Sequence, residues 1–289
     1  MTAVLSVRTL AEAVHALVGA TATTRVLAGG TDLMVEIEHG RTHPDRVVDI
    51  SRVDELRGVA EEQGGLRIGA LTDCNTLIHS ELVRARAEML ALAADEVGAE
   101  QIKNRASLGG NLGTASPAAD LNPVLFALRA RVRLVSARGR RELAASEFVR
   151  GYRSTARADD ELIESIWIPP RSPNERRAFR KVGTRSAQSI AKVVVALALT
   201  MHEGRIAELT AAAGSVADRT VLLPSLAREL AGREPSAEHI DRAARAAARD
   251  DCSPIDDVRS TAEYRRHVLQ RLLVVLLGEL TSVGEAVIR

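Results

Sequence analysis

The chain has 289 residues, 46% of them hydrophobic and 27% charged, and its 39 Lys and Arg against 38 Asp and Glu leave a formal charge of +1. This is a globular composition of about two domains, and so even a balance excludes a general nucleic-acid binder, which carries a basic excess. Only two cysteines are present, Cys74 and Cys252, too few to ligate a zinc or iron–sulfur centre by themselves, and only 2% of residues are aromatic.

In chain order, Thr9–Val18 places Leu10, Val14 and Leu17 at helical spacing behind a Ser/Thr cap. Arg25–Ala28 reads as a short strand stopped by Gly29-Gly30, and Thr31–Ile37 as a helix start. Arg46–Ile50 and Leu66–Ala70 are expected strands. Leu71–Asn75 caps a helix running to Ile78, and Leu82–Val97 is Ala- and Leu-rich with helical periodicity. Small residues dominate Ser107–Pro117, which reads as a structured loop. Pro123–Leu128 opens a short helix, and Ala130–Ser136 and Leu162–Ile168 are strands.

Three prolines at 169, 170 and 173 break any helix or central strand, so a boundary is expected there. Beyond it, Ala178–Val182, Ala191–Met201 and Arg205–Ala213 read as strands, with Met201–Arg205 as a hairpin turn. Ala217–Gly232, Ser236–Asp250 and Arg259–Leu280 are helical by pattern, which makes the last third a separate α+β unit. The basic group Arg171, Arg176, Arg177, Arg180 and Lys181 is either a solvated strand edge or a surface for an acidic partner.

Between Met1 and Ala20 no basic region precedes an apolar core, so no signal peptide is expected. The aliphatic run Leu272–Leu277 is far short of the roughly 20 residues a bilayer span needs. With unpaired cysteines, a cytoplasmic location is expected.

Two glycine motifs carry chemistry. In Val26-Leu-Ala-Gly-Gly-Thr-Asp-Leu33 a strand runs through two glycines into a helix start. Glycines permit a sharp turn and close ligand approach, and amides at such a start attract anions. The motif is either a pyrophosphate cradle or a tight turn capped by Thr31 or Asp32. In Asn104–Asp120, the groups of Ser107, Gly109, Gly110, Asn111, Thr114 and Ser116 could meet a phosphate-bearing cofactor and Asp120 could accept from sugar hydroxyls. The alternative is a structural Ω-like loop. Neither motif is a Walker A loop or a G-x-G-x-x-G fingerprint.

Taken in order, Ala28-Gly-Gly-Thr-Asp-Leu33, Gln101-Ile-Lys-Asn-Arg105, Ser107-Leu-Gly-Gly-Asn111 and Ala115–Pro123 resemble the FAD-binding subunit of molybdenum hydroxylases, the xanthine dehydrogenase and carbon monoxide dehydrogenase group. Phe148–Arg153, Ile163–Pro169, Phe179–Arg185 and Ile190–Val193 extend the resemblance, which weakens beyond Ala217. It implies an α+β fold: a vanillyl-alcohol-oxidase (PCMH)-type FAD-binding fold of two subdomains, 1–53 and 54–170, plus a C-terminal α+β domain, 174–289, covering the flavin. By resemblance, the amides of Leu27, Ala28, Gly29, Gly30, Thr31, Asp32 and Leu33 wrap the pyrophosphate. Ser107, Leu108, Gly109, Gly110 and Asn111 form the opposite wall, with the Ser107 hydroxyl near phosphate. Thr114 and Asp120 lie toward the ribityl and adenosine portions, Ile163 lies against a ring, and Lys181 (or Arg180) approaches the isoalloxazine as the catalytic cation.

The resemblance further implies an electron-transfer role. A small [2Fe–2S] subunit supplies electrons, a large molybdenum-cofactor subunit oxidises the substrate, NAD or oxygen is the acceptor, and the assembly is a dimer of heterotrimers. No metal site is expected in the chain itself. Two other readings stay open at this stage: a free-standing FAD-dependent oxidoreductase of the same fold, and a scaffold that keeps the fold without the cofactor.

Overall fold

The structure, a computed structural model, describes residues 2–185 and 188–283; residues 284–289 of the expected C-terminal unit lie outside the described residues. Near the N-terminus, β1 (Ala3–Ser6), β2 (Thr24–Leu27) and β3 (Arg46–Asp49) form a parallel sheet in the order β1-β3-β2. The central strand is the apolar one, with Val47 and Val48 buried, while all four residues of β1 are exposed on the edge. The helix Leu10–Ala16 starts where Thr9 accepts the Glu12 amide through its hydroxyl at 3.1 Å, and Ala13 and Leu17 close the small core.

The middle third is an antiparallel sheet of β4 (Val59–Glu62), β5 (Gly65–Gly69), β6 (Arg131–Ser136), β7 (Gly139–Ala144) and a later strand, with a small hairpin of β8 (Val149–Gly151) and β9 (Ser154–Thr155) beside it. The later strand, β10 (Leu162–Ile168), lies between β5 and β6, giving the order β4-β5-β10-β6-β7. Its Ile163 and Ile166 join Ile68, Val132 and Leu134 under a helical layer. Strands β4, β7, β8 and β9 carry no apolar alternation and were not expected.

Two helical expectations change. Leu82–Val97 is broken into Glu81–Arg86 and Glu88–Asp95, because buried Ala87 sits at φ −144°, ψ 48°. The Arg177 guanidinium takes the Arg86 carbonyl at that break, at 2.6 Å. Ser107–Pro117, expected as a loop, holds the helix Leu108–Thr114, capped by Ser107 and packed through Leu108 and Leu112. Its three glycines lower helix propensity, and tertiary packing overrides that.

After the proline break, β11 (Glu175–Val182), β12 (Val193–His202), β13 (Arg205–Gly214) and β14 (Val221–Leu222) form an antiparallel sheet in that order. Glu203 and Gly204, at φ 49° and 76°, make the expected tight hairpin. The helix expected over Ala217–Gly232 shrinks to Pro224–Leu230, since Val221–Leu222 pairs with the sheet instead. Helices Ala237–Asp250 and Ala262–Thr281 cover one face through Ile240, Leu269, Leu273 and Leu277. Ala196 and Ala212, on the other face, join the core of the middle third. Burial on both faces explains the unbroken apolar run Val193–Leu199. No helix among the described residues is long and apolar enough to cross a membrane.

Candidate functional site

The first glycine motif leaves β2 at the C-terminal edge of the parallel sheet. Gly29 lies so close to the second motif's approach that a methyl there would fall within the Arg105 carbonyl, and the Arg105 Nε donates to the Gly29 carbonyl at 3.2 Å. Gly30 sits at φ 77°, a conformation side chains disfavour. Among the described residues, the amides of Gly29, Gly30, Thr31, Asp32 and Leu33 donate to no protein acceptor. Such a row of open donors suits an anion.

Asp32 does not cap the helix Leu33–Glu38 that follows it. Arg153, in the turn between β8 and β9, donates to both of its carboxylate oxygens at 2.9 and 3.0 Å, and the Thr114 hydroxyl donates at 3.3 Å. Arg153 also reaches Glu36 at 3.2 Å. The first loop, the end of the glycine helix and the hairpin therefore meet at one carboxylate.

The second motif is built differently. The Leu108 and Gly109 amides donate to the Thr72 and Ala70 carbonyls at 3.0 and 2.8 Å, and the Asn111 amide to the Ser107 carbonyl at 2.9 Å. The buried Ser107 hydroxyl accepts from the Gly110 amide at 3.1 Å. A Cβ on Gly109 would meet the Ala70 Cβ at 2.6 Å. The wall expected to offer amides to phosphate thus has them engaged by the protein, and the Ser107 hydroxyl serves as a helix cap. What this wall leaves free is the side chain of Asn111, whose Oδ1 is buried without a partner among the described residues.

Lys181 and Asp120, expected at different portions of one cofactor, lie together. The Lys181 ammonium donates to Asp120 Oδ2 at 2.9 Å and to the Glu96 carbonyl at 2.9 Å, and its side chain is only 2% exposed. Burial pushes the Asp120 carboxyl up to about 6 against the opposing pull of Lys181, with Glu96 adding to the rise. Its second oxygen, Oδ1, and both amide atoms of fully buried Asn122 have no partner among the described residues. Ile163 is buried in the core, its Cδ1 toward Gly113. Arg180, the alternative to Lys181, is exposed.

The basic group around the proline break is divided: Arg171, Arg176 and Arg180 are exposed, while Arg177 and Lys181 are turned inward. Arg177 is paired with Glu175 and Glu88, Arg171 with Glu88, and Arg176 with the Leu280 carbonyl, so the edge strand β11 is in part solvated and in part tied to the rest of the chain. Cys74 and Cys252 are buried thiols pushed up to about 12, chiefly by desolvation, and are unreactive. Arg153, Arg105 and Asn122 lie within the sequence motifs, but residue type and spacing alone give them no role. Arg153 in particular meets a loop 121 residues away, which spacing does not reveal.

Residues 1–171 match the family model described as the FAD binding domain in molybdopterin dehydrogenase, and residues 177–280 match the CO dehydrogenase flavoprotein C-terminal domain. The glyceraldehyde dehydrogenase medium chain of Sulfolobus acidocaldarius is 30% identical over 257 residues, covering 89% of this chain and 90% of that one. The nicotine 6-hydroxylase medium subunit of Paenarthrobacter nicotinovorans is 31% identical, over 86% of this chain and 87% of that one. Among solved structures, the carbon monoxide dehydrogenase from Hydrogenophaga pseudoflava that lacks the Mo-pyranopterin moiety superposes with a TM-score of 0.91 at 27% identity, over 99% of this chain and 97% of that one. The chain belongs to the FAD-binding medium-subunit family of the molybdenum hydroxylases, flavin-dependent oxidoreductase subunits with an α+β fold.

Proposed function

We propose that this chain carries FAD as the electron-transfer subunit of a molybdenum-containing hydroxylase, taking electrons from a [2Fe–2S] subunit and passing them to NAD or oxygen. Substrate oxidation then takes place on a molybdenum-cofactor subunit, in a dimer of heterotrimers in the cytoplasm. The observation that carries this reading is the open row of amides at Gly29–Leu33 in a chain whose first 171 residues match the FAD-binding family. Two cysteines, each buried in a different core, suit a chain that leaves iron to its partners.

The residues fit FAD. Pyrophosphate oxygens accept from the loop amides, while ribityl hydroxyls and the ring imide N–H can donate to the buried, unpartnered oxygens of Asn111, Asp120 and Asn122. Bound FAD exchanges electrons singly or in pairs, which matches one-electron clusters to a two-electron acceptor.

The loop Leu27, Ala28, Gly29, Gly30, Thr31, Asp32 and Leu33 holds the pyrophosphate by its backbone, with Gly110 and Asn111 opposite. Ser107, Leu108, Gly109 and Ile163 support that wall from behind, and Thr114 steadies Asp32. Lys181 keeps positive charge where the ring gains negative charge on reduction, which favours the reduced form. The 2.9 Å contact between Asp120 and Lys181 supports a place for both at the ring end, rather than Asp120 at the ribityl and adenosine portions. The three larger of the four sheets support a division into 1–53, 54–170 and 174–289.

Co-purification with mass spectrometry and a visible absorption spectrum tests this reading. The expected result is stoichiometric FAD, an iron–sulfur subunit and a molybdenum-cofactor subunit. A chain that takes up no supplied FAD overturns the cofactor reading. Turnover of a small substrate by the isolated chain overturns the division of labour in favour of a free-standing oxidoreductase.

A further inference from the structure

Strand β11 carries two buried cations, Arg177 and Lys181, whose side chains are each only 2% exposed. Four residues apart on one strand, they lie on the same face of the sheet. Phe179 stands between them on that face and packs against the core of the middle third, which holds Met89, Leu90, Ala93 and Ala94 of the helix Glu88–Asp95. The register agrees, since Phe179 lies opposite Ala196, a member of the same core. One face of β11 thus lies along this short helix.

The two cations take the helix by its ends. Arg177 donates to the Arg86 carbonyl at 2.6 Å, where the preceding helix stops, and reaches the Glu88 carboxylate in the first turn at 3.3 Å. Lys181 donates at 2.9 Å to the carbonyl of Glu96, the residue that closes the helix. A cation at that end also suits the helix dipole. The spans match: four residues of strand cover about 13 Å, and the helix, with 8 residues, rises about 12 Å. Lys181 is therefore not placed by Asp120 alone. Its second acceptor stands at the end of a helix whose other end Arg177 fixes.

We propose that Arg177 is a positioning residue for Lys181: by fixing the start of the helix Glu88–Asp95 it fixes the Glu96 carbonyl, and so holds the Lys181 ammonium against Asp120 and at the flavin ring. The flavin part of the inference rests on the reading of the chain as FAD-binding. Arg177 is assigned no contact with Lys181 or with the cofactor; it acts through the helix. Arg176, its neighbour on β11, donates instead to the Leu280 carbonyl of the C-terminal helix and takes no part in this grip. Loss of Arg176 removes the same charge from the same strand, and so serves as the control.

The first readout needs no cofactor. Carboxyl NMR of the FAD-free, full-length chain follows Asp120 against pH, with its signal assigned by loss in Asp120→Asn, and thermal unfolding reports folding. The titratable groups facing Asp120 are Lys181 of β11, Glu96 at the helix end and Cys74, whose thiol near 12 stays uncharged. Lys181 holds the carboxyl down against burial, so a loosened Lys181 moves its titration up from about 6. Arg177→Met should raise it by about half a pH unit or more. Arg177→Lys should fall between Met and wild type, because lysine keeps the charge without the fork that reaches both Arg86 and Glu88. Arg176→Met should leave it in place. In the FAD-loaded chain, with any subunits that co-purify, the reduction potential of Arg177→Met should fall as for Lys181→Met, by a smaller amount, and that of Arg176→Met should not move.

An Asp120 titration unmoved in Arg177→Met, or moved equally by Arg176→Met, overturns the proposal and leaves Arg177 as a structural tie. If Arg177→Met does not fold, Glu88→Gln cuts the same grip from the helix side. By charge alone that variant would lower the Asp120 titration, whereas a loosened Lys181 raises it, so a rise supports the proposal and a fall or no change overturns it. A raised titration with an unmoved potential overturns the step from Lys181 to the ring. A wild-type chain that binds no FAD overturns the parent reading instead and leaves the Asp120 titration to decide the grip, so the failures are distinguishable.

Discussion

The two glycine motifs look alike in sequence and are used in opposite ways. At Gly29-Gly30 the backbone amides point to no protein acceptor, while at Gly109-Gly110 the amides are bonded to Ala70 and to Ser107. Each motif has an acid with a basic partner. Asp32 and Arg153 are part-exposed beside the open amides, whereas Asp120 and Lys181 form a buried pair. The lesson is that the backbone amides of such a motif can serve a ligand or serve the protein itself. Whether each amide already has a protein acceptor tells the two apart.

That contrast can be broken by substitution. The largest effect is expected for Gly29→Ala, because the methyl would overlap the Arg105 carbonyl and force two backbones apart. A loss of about 3 kcal/mol or more in denaturant unfolding is expected, with FAD binding lost as a consequence. Unchanged stability would mean that the two motifs are not in contact.

Asp120 gives a pH-dependent comparison. Its carboxyl is raised in the folded chain, so the folded state binds the proton more tightly than the unfolded one. Stability attributable to this group is therefore full below about pH 4 and declines as pH rises toward 6. The loss amounts to up to about 3 kcal/mol. Asp120→Asn should flatten that part of the stability–pH curve, and an identical curve in the variant would show that Asp120 is not the group responsible.

Gly109→Ala presses on Ala70 at 2.6 Å and should cost about 2 kcal/mol without any cofactor present. Gly110→Val sharpens the comparison. A Cβ there meets only the Ser107 hydroxyl, at 2.9 Å, and otherwise opens into space free of protein. The FAD-free chain should lose only about 1 kcal/mol, the worth of a disturbed cap, yet fail to retain FAD. Full flavin content in Gly110→Val would remove that face of the helix from the site. The smallest effect is expected for Lys181→Met. FAD should stay bound while its reduction potential falls by on the order of 30 mV, as measured by dye-coupled titration. An unchanged potential would leave Lys181 as a structural partner of Asp120 alone.

Much of the architecture was legible where periodicity was strong. Strands β2, β3, β5, β6 and β10, the hairpin at Glu203-Gly204 and the two long C-terminal helices all stand within a few residues of their expected places. Legibility failed where local preference and tertiary packing disagreed. Ser107–Pro117 is rich in glycine and small polar residues, yet Leu108 and Leu112 reach the core and Ser107 caps the turn, so a helix forms. Leu82–Val97 has helical periodicity throughout, yet Ala87 breaks it because a buried guanidinium from β11 satisfies the freed carbonyl. Strands β4 and β7, rich in Glu and Arg, have no apolar face to announce them and exist because a sheet neighbour completes their hydrogen bonds.

The sequence by itself determined the family, the cofactor class and the order of the motifs. Those depend on residue types at fixed local spacing, and glycines, caps and turns act over a few residues. Only the tertiary structure decided which glycine motif has open amides, that Asp120 and Lys181 are one pair, and that Arg153 holds Asp32 across 121 residues. The physical reason is the same in all three. A hydrogen bond is shared between two groups, and whether a donor is open or taken depends on a partner that chain order does not bring near.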